Sequence, residues 1–389
     1  MNTKELDKKY IMNTYGRYDV ALKSGKGCTA YDEDGKKYID VSSGIGVNSL
    51  GYCDEGWVEA VTNQAKTIQH MSNYFYSSEA SKLAKTLCSI TPFTKACFSN
   101  SGAEANECAI KIARKHSFDK YGEGRNEIIT LKDSFHGRTV TTLSATGQDN
   151  FHNYFFPFTE GFKYAEADID SVKGLVSSKT CAILIECVQG EGGVNIMDKS
   201  FVQALRKLCD ENDITLIVDE VQTGVGRTGR LFCFENFDIV PDMITCAKGL
   251  GGGLPIGLCL CTEKLENVFT PSTHGSTFAA NPVVCAGANY VISKISDESF
   301  LSEVNKKGAY LRDKLEKING VKSTRGLGLM IGIELEKDNA HDIAVKCVEN
   351  GLLIITAKNL LRMLPPLNIS YEDIDEAVKI LEKTIMEDK

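Results

Sequence analysis

Three segments of the sequence place a charged or polar side chain directly after a short apolar run. Lys248 follows one such run and is followed at once by a glycine-rich stretch that ends at Gly257. A lysine in apolar surroundings loses its proton more easily and becomes a nucleophile. A solvated surface lysine is the usual alternative, but the apolar approach and the glycine-rich exit argue against it. We therefore interpret Lys248 as a candidate nucleophile.

Asp219 ends a second apolar run, which begins at Ile214. A carboxylate at the end of a buried strand must be paired or hydrogen-bonded to stay charged. A protonated heterocyclic nitrogen would be one suitable partner. From the residue alone, a helix cap or a metal ligand is an equally good interpretation.

The third segment, Phe98–Glu107, predicts a strand, a turn at Ser101-Gly102 and an alanine-rich helix with Glu104 placed for a capping box. The free N–H groups of such a first turn can bind an anion, and a glycine lets the backbone approach closely. An ordinary capped helix remains an alternative. Its place after a strand of the predicted sheet favours a phosphate site.

The surrounding pattern predicts the elements that position these segments. Apolar runs at 181–186 and 214–219 are typical of buried parallel strands, and the spacing over 198–212 predicts a helix between them. The fold class is therefore α/β. We predict an N-terminal segment 1–49 that joins a small domain, a large domain over 50–282, and a C-terminal small α+β domain over 283–389. Further predicted strands are 96–98, 128–131, 243–246, 329–334 and 352–355, with a hairpin over 29–40.

Composition excludes several classes of protein. The 389 residues carry 44 Lys and Arg against 52 Asp and Glu, a net charge of −8, so no basic excess is present for nucleic acid. No signal-peptide pattern or apolar stretch of membrane-spanning length occurs. The 14 cysteines form no C-x-x-C pair and are interpreted as small core residues in a reducing compartment, without a metal site. We predict a cytoplasmic protein with neither nucleic-acid nor membrane partners.

An anion site, a strand-end aspartate and a strand-end lysine together are the set that pyridoxal 5′-phosphate requires. The lysine would form the Schiff base, and the aspartate would keep the ring nitrogen protonated. The Walker pattern of nucleotide triphosphatases does not occur in the chain. A nicotinamide-dependent oxidoreductase, supported only by the α/β pattern and the glycine runs, stays as an alternative of another class.

Several motifs, in order along nearly the whole chain, resemble class III pyridoxal-phosphate-dependent aminotransferases of fold type I. The resemblance implies a large domain with a mixed, mainly parallel sheet, a smaller α+β domain built from both termini, and a homodimer that shares its active site. Besides Lys248, the motifs are Asn13–Tyr18, Ser43–Asn48, Asn100–Asn106, Phe135–Thr139, Gln189–Gly193, Asp219–Gln222 and His274–Phe278.

The resemblance also implies individual roles. Lys248 and Asp219 would be catalytic, and Glu191 would pair with Arg362 until a substrate α-carboxylate takes its place. Arg138 would bind the distal carboxylate, with Ser276 as a further substrate contact. The cofactor would be held by Ser101, Gly102 and Ala103 at the phosphate, by Thr277 of the second subunit, by Phe135 on the ring face, by Gln222 at the ring hydroxyl, and by Glu220 and Val221.

The activity that the resemblance implies is a ping-pong transfer of the δ-amino group of N-acetylornithine to 2-oxoglutarate. Glutamate would be the product, and the reaction would be a step of arginine synthesis. Ornithine, succinylornithine, succinyldiaminopimelate and 4-aminobutyrate remain alternative donors, because family members that use them share the same catalytic set. A non-catalytic dimer that binds pyridoxal phosphate as a ligand is a further alternative, although such a protein would not need substrate arginines.

Overall fold

The computed structural model describes residues 1–388. Its strands are β1 (Leu22–Lys26), β2 (Thr29–Asp32), β3 (Lys37–Asp40), β4 (Lys95–Ser99), β5 (Glu127–Leu131), β6 (Phe162–Ala165), β7 (Thr180–Ile185), β8 (Val188–Gln189), β9 (Asn195–Ile196), β10 (Thr215–Asp219), β11 (Met243–Cys246), β12 (Gly257–Cys261), β13 (Val321–Leu327), β14 (Met330–Leu335), β15 (Leu352–Leu353), β16 (Ile355–Ala357) and β17 (Leu360–Met363).

The helices are α1 (Thr3–Tyr10), α2 (Ser43–Gly46), α3 (Glu55–Thr67), α4 (Ser78–Ile90), α5 (Gly102–Tyr121), α6 (Val140–Ala145), α7 (Ile169–Leu175), α8 (Lys199–Asn212), α9 (Pro282–Ile295), α10 (Glu298–Leu315), α11 (Ala340–Glu349) and α12 (Tyr371–Glu387). Four short 3₁₀ turns also occur, at Asp149–Phe151, Cys233–Phe237, Lys248–Gly251 and Glu263–Leu265. None of the helices within residues 1–388 has the length and apolar character needed to cross a membrane.

A seven-stranded sheet in the order β4-β12-β11-β10-β7-β5-β6 forms the centre of the molecule. Six of its strands run in one direction, and only β12 is reversed, pairing antiparallel with both β11 and β4. All residues of β7 and β10 are buried, as continuous apolar runs predict for strands covered on both faces. The predicted α/β fold with a mixed, mainly parallel sheet is confirmed.

The predicted boundaries of these elements agree closely with the structure. β11 begins and ends where its apolar run does, β10 begins one residue later than predicted, and β7 begins and ends one residue earlier than predicted. Helix α8 begins after Asp198, whose carboxylate caps it by accepting from the N–H groups of Ser200 and Phe201.

The carboxyl ends of four parallel strands meet at one edge of the central sheet. β4 ends two residues before Ser101, β7 ends immediately before Glu186, β10 ends at Asp219, and β11 ends two residues before Lys248. In open α/β sheets, this edge is where ligands bind. The topology therefore gathers the three candidate segments in one place.

Two smaller sheets involve the terminal parts of the chain. The order β1-β2-β3-β15 joins N-terminal strands to a C-terminal one, since β3 pairs in parallel with β15 through Ile39 and Leu352. The order β13-β14-β17-β16 forms a separate C-terminal sheet, and its strand β17 carries Arg362. The predicted strand at 352–355 is interrupted, because β15 and β16 pair in different sheets.

Candidate active site

A cavity of about 590 Å³ opens at the carboxyl edge of the central sheet. Residues from the N-terminal segment also reach it, namely Tyr15 and Val47. Ten of the predicted site residues line the cavity together: Ser101, Gly102, Ala103, Phe135, Arg138, Glu191, Asp219, Val221, Gln222 and Lys248.

Lys248 begins a 3₁₀ turn two residues after the end of β11, and its side chain borders the cavity. Its φ of +41° lies in the left-handed region, which costs a residue other than glycine on the order of 1 kcal/mol. Burial lowers the pKa of its amine, although the carboxylate of Glu191 opposes that shift. An amine with a lowered pKa is unprotonated more often at neutral pH, as a nucleophile or a base requires.

Asp219 is almost fully buried, and both of its carboxylate oxygens accept hydrogen bonds. Oδ2 accepts from Nδ2 of Asn106 at 2.7 Å and lies 2.9 Å from Nδ1 of His136, while Oδ1 accepts from the N–H of Val221 at 2.9 Å. No lysine or arginine within residues 1–388 forms an ion pair with it. A buried carboxylate without a paired strong cation fits a protonated ring nitrogen in the adjoining cavity.

The amino end of helix α5 provides the predicted anion site. Ser101 caps the helix, and its Oγ accepts from the N–H of Glu104 at 3.2 Å. The N–H groups of Gly102 and Ala103 have no hydrogen-bond partner within the described residues. A Cβ at Gly102 would lie 2.7 Å from Cγ1 of Val221, so the close approach of these two segments requires glycine. Free N–H groups at the start of a long helix suit a phosphate.

Glu191 and Arg362 form an ion pair beside the cavity. Nη1 of Arg362 lies 2.9 Å from Oε1 of Glu191 and donates to Oε1 of Gln222 at 3.1 Å. The arginine side chain is 2% exposed and the glutamate side chain 31% exposed. Burial raises the pKa of Glu191, but Arg362, together with Lys248 and Gln222, outweighs that effect and the net pKa is lowered. The predicted pairing of these two residues is thus present in the structure.

Phe135 and Arg138 form the aromatic and basic side of the cavity. The guanidinium of Arg138 lies 4.1 Å from the ring centre of Phe151 and 5.5 Å from that of Phe135. It makes no ion pair with any residue of the described part of the chain, and it is exposed. An arginine held over aromatic rings with its donors free can accept a carboxylate.

Four predicted site residues are not among those that line the cavity, and one of them is Arg362, which pairs with Glu191 beside it. The carboxylate of Glu220 accepts from the hydroxyl of Thr223 at 2.6 Å and from the N–H of Phe234 at 2.8 Å, away from the site. Ser276 accepts a hydrogen bond from Nδ2 of Asn100 at 2.8 Å. Thr277 is exposed and outside this chain's own cavity. Their roles stay predictions.

Sequence reasoning assigned no role to Asn106, His136 and Glu186, all of which line the cavity. The hydroxyl of Thr245 donates to Oδ1 of Asn106 at 2.7 Å, which fixes the amide so that its Nδ2 donates to Asp219. Burial raises the pKa of Glu186 to about 7, and its carboxyl group accepts from the N–H groups of Phe135 and Gly190. Asn106 and His136 belong to motifs that carry the family resemblance, but their contacts with Asp219 are visible only in the folded structure.

One glycine spacing bears on the nicotinamide alternative. Gly224, Gly226 and Gly229 have the G-x-G-x-x-G spacing of dinucleotide-binding proteins. In such proteins the motif opens a long helix that faces the pyrophosphate. Here it lies in consecutive turns, and the next element is only the short 3₁₀ turn Cys233–Phe237. The structural context that the alternative requires is therefore not met.

Comparison with known proteins identifies the class that this fold and site define. The model of the family "Aminotransferase class-III" matches residues 10–385, nearly the whole chain. The chain belongs to the class-III aminotransferase family.

Individual relatives agree with that assignment. The acetylornithine aminotransferase of Haemophilus ducreyi is 50% identical over 387 residues, covering 99% of this chain and 98% of that protein. The crystal structure of the ornithine aminotransferase of Toxoplasma gondii matches with a TM-score of 0.94 at 30% identity, covering 100% and 96% of the two chains. That of the N-acetylornithine aminotransferase of Stenotrophomonas maltophilia matches with a TM-score of 0.86 at 33% identity, covering 98% of each.

The protein is therefore a pyridoxal-phosphate-dependent aminotransferase, and the predicted family, enzyme class and cofactor are confirmed. The alternative of a nicotinamide-dependent oxidoreductase is rejected. The residues present fit the cofactor, because a buried carboxylate faces the cavity from one side and free N–H groups face it from another.

Proposed function

We propose that the protein transfers the δ-amino group of N2-acetyl-L-ornithine to 2-oxoglutarate, as a step of arginine biosynthesis. The donor is suggested by the relatives, among them the Haemophilus ducreyi protein at 50% identity over nearly the full length of both chains. The observation that carries the proposal is the buried ion pair between Arg362 and Glu191, which borders the same cavity as Lys248.

That ion pair suits an enzyme that must accept two unlike substrates. N-Acetylornithine presents its δ-amine without a carboxylate beside the reacting carbon, whereas 2-oxoglutarate and glutamate carry one there. Glu191 would neutralise Arg362 while the first substrate reacts, and it would move aside when an α-carboxylate arrives. Because an unpaired arginine that is 2% exposed would be costly, some carboxylate must occupy the position at each stage.

Pyridoxal 5′-phosphate, when bound, accepts the amino group and delocalises the negative charge that forms on the reacting carbon. Nζ of Lys248 would attach the cofactor and then carry the proton taken from the δ-carbon, a task that its lowered pKa favours. Asp219, fixed by Asn106 and His136, would hold a proton at the ring nitrogen. The N–H groups of Gly102 and Ala103 would bind the phosphate.

Arg138 would bind the carboxylate at the far end of either substrate. Its position over Phe135 and Phe151 leaves its donors free while limiting the directions in which the guanidinium can point. Acetylation makes the α-nitrogen of the donor neutral, so the site need not desolvate a second ammonium group near this carboxylate, as it would with free ornithine.

The visible absorption spectrum of the cofactor-loaded protein tests the donor. N-Acetylornithine alone, without any oxo acid, should abolish the band of the lysine-bound cofactor within one half-reaction. If ornithine or 4-aminobutyrate abolishes the band and N-acetylornithine does not, the donor assignment is wrong and the enzyme class stands. If no amino donor changes the band, the protein binds the cofactor without using it.

We propose further that the protein is a homodimer whose active sites are shared between subunits. Thr277 is exposed and stands outside its own cavity, and the adjoining Phe278 is 63% exposed. Tyr74, Phe75 and Tyr76 form a second exposed aromatic group, with exposures of 95%, 70% and 101%. Large exposed aromatic side chains in a cluster are typical of protein interfaces.

Two further proposals concern the organisation and the compartment of the protein. The division into 1–49, 50–282 and 283–389 is supported by the pairing of β3 with β15, and limited proteolysis would test its boundaries. Lys389 lies outside the described residues. All 14 cysteines are free thiols, in keeping with a cytoplasmic location, which cell fractionation would test.

A further inference from the structure

Two cysteines and a histidine gather outside the cavity, on a strand, a helix and a loop. Sγ of Cys97 in β4, Sγ of Cys108 in α5 and a ring nitrogen of His274 all lie within 4.8 Å of one another. Cys108 is fully buried, whereas Cys97 and His274 are partly exposed. Nothing in the transamination reaction uses these three side chains.

The spacing of the three atoms is close to what a tetrahedral metal ion requires. Zn–S bonds of about 2.3 Å and Zn–N bonds of about 2.0 Å place neighbouring ligand atoms roughly 3.5 to 3.8 Å apart. Atoms as far as 4.8 Å apart would need to approach one another by about 1.3 Å at most, a distance that side-chain rotation can supply. The fold therefore already places the three ligand atoms close to the positions that a tetrahedral metal ion requires.

The surroundings are rich in sulfur. Cys259 is the cross-strand partner of Cys97 in the β4–β12 pair, and its Sγ lies 3.9 Å from Sδ of Met243. Thiolate and imidazole ligands select soft and borderline cations such as Zn²⁺ over Mg²⁺ or Ca²⁺.

One positive charge competes for the same histidine. Nζ of Lys111 lies 3.0 Å from Nδ1 of His274, and the lysine is exposed on the surface of α5. An exposed lysine can swing into solvent at little cost, but its charge near the site weakens the binding of a cation. Removal of that charge should therefore tighten binding.

We propose that Cys97, Cys108 and His274 form a binding site for Zn²⁺ or a similar thiophilic cation, with its fourth position open to water. Metal binding would fasten the segment that carries Ser276 and Thr277 to helix α5. The amino end of that helix is the proposed phosphate site of this chain, whereas Thr277 is proposed to serve the partner's site, so an occupied metal site would stiffen one contributor to each. If the proposal holds, two of the cysteines interpreted from the sequence as packing residues are metal ligands.

Metal content of the cofactor-loaded protein after equilibrium dialysis against buffered Zn²⁺ tests the proposal. The unaltered protein should retain one zinc per chain. Cys108→Ser and His274→Gln should each weaken binding on the order of a hundredfold, since each removes one of three ligands. Lys111→Met should tighten binding about tenfold, because one nearby charge is gone. His274→Gln alters a loop rather than the core, so its result does not depend on tolerance of the core to change.

Two cysteine variants serve as matched controls. Cys53→Ser removes the exposed thiol, and Cys285→Ser removes a buried thiol outside the cluster. Both should keep one zinc per chain. The proposal is overturned if the unaltered protein retains no stoichiometric zinc, or if Cys108→Ser and His274→Gln bind zinc as tightly as the controls do. Either result would leave the proposed aminotransferase reaction untouched, because the donor is tested by the absorption spectrum.

Discussion

Replacing Glu191 by alanine separates the two substrates that the enzyme is proposed to accept. In the structure, the carboxylate of Glu191 is paired with the guanidinium of Arg362, the group that an incoming α-carboxylate would bind. Glutamate must displace this carboxylate before it binds, whereas N-acetylornithine need not. The variant should therefore favour glutamate over N-acetylornithine as amino donor.

The structure sets the size of the effect. Breaking a fully buried ion pair costs about 3 to 5 kcal/mol, and an exposed pair contributes about 0 to 1 kcal/mol. Because the Arg362 side chain is 2% exposed but that of Glu191 is 31% exposed, we expect a loss between these limits. Glu191→Ala should therefore lower the free energy of unfolding by about 1 to 2 kcal/mol. Glutamate then binds without spending that free energy on displacing Glu191 from Arg362. The ratio of the two donor reactivities should shift about tenfold.

Single half-reactions give that ratio directly. The rate of loss of the visible band is measured with each donor alone, in the unaltered protein and in Glu191→Ala. Glu191→Asp, which keeps the charge on a shorter side chain, is the matched control and should shift the ratio less. An unchanged ratio in Glu191→Ala, with the variant folded and loaded with cofactor, would refute the idea that this carboxylate governs access to Arg362.

Three further predictions concern the lysine, the shared site and a buried carboxyl group. Lys248→Ala should abolish steady-state turnover and the visible band, and persisting turnover would exclude its assignment. A hybrid dimer of one Lys248→Ala subunit and one Thr277→Ala subunit should bind the cofactor normally at its intact-lysine site, since the partner supplies the threonine there; weak binding would instead place Thr277 in its own site. Burial raises the pKa of Glu220 from 4.5 to about 7. The folded protein therefore keeps this proton at a higher pH than the unfolded chain does, and the free energy of unfolding falls as the pH rises between those values. Glu220→Gln should reduce that fall in unfolding free energy by about 3 kcal/mol. If urea unfolding gives the same difference in unfolding free energy between pH 5 and pH 8 for the variant and the unaltered protein, the prediction is wrong.

The chemistry at the strand ends could be predicted because it is local. Lys248 and Asp219 each follow a run of apolar residues so continuous that the strand had to be buried, and the residue after it had to lie at the edge of the sheet. Parallel order then brings such edges together without any knowledge of the loops. The phosphate end of the site is predictable for the same reason, since helix α5 follows β4 after two residues.

The partners of Asp219 could not be predicted in this way. Asn106 lies in helix α5, within an alanine-rich stretch, and its contact with Asp219 spans a separation of 113 residues along the chain. His136 reaches the same oxygen from the loop after β5. Neither contact leaves a periodic pattern in the sequence, because each depends on how separate elements pack. The same holds for the Cys97, Cys108 and His274 group.

The reversed strand β12 shows a third kind of limit. Its residues Gly257–Cys261 are apolar and fully buried, as in the parallel strands. Nothing in that composition distinguishes a strand that runs against its neighbours, because burial on both faces gives the same pattern in either direction. Only the connection from the turn after Lys248, which brings the chain straight back along β11, sets its direction.

The pairing of β3 with β15 has a consequence for how the chain acquires its structure. Ile39 meets Leu352 in that ladder, so the first hairpin stays without its neighbouring strand until nearly the whole polypeptide has been synthesised. Contacts so distant along the chain form slowly, and an unpaired strand edge invites association with other chains in the meantime. The N-terminal hairpin is therefore a part of this protein that stays without a partner until late in biosynthesis, and its free edge would favour aggregation in that period.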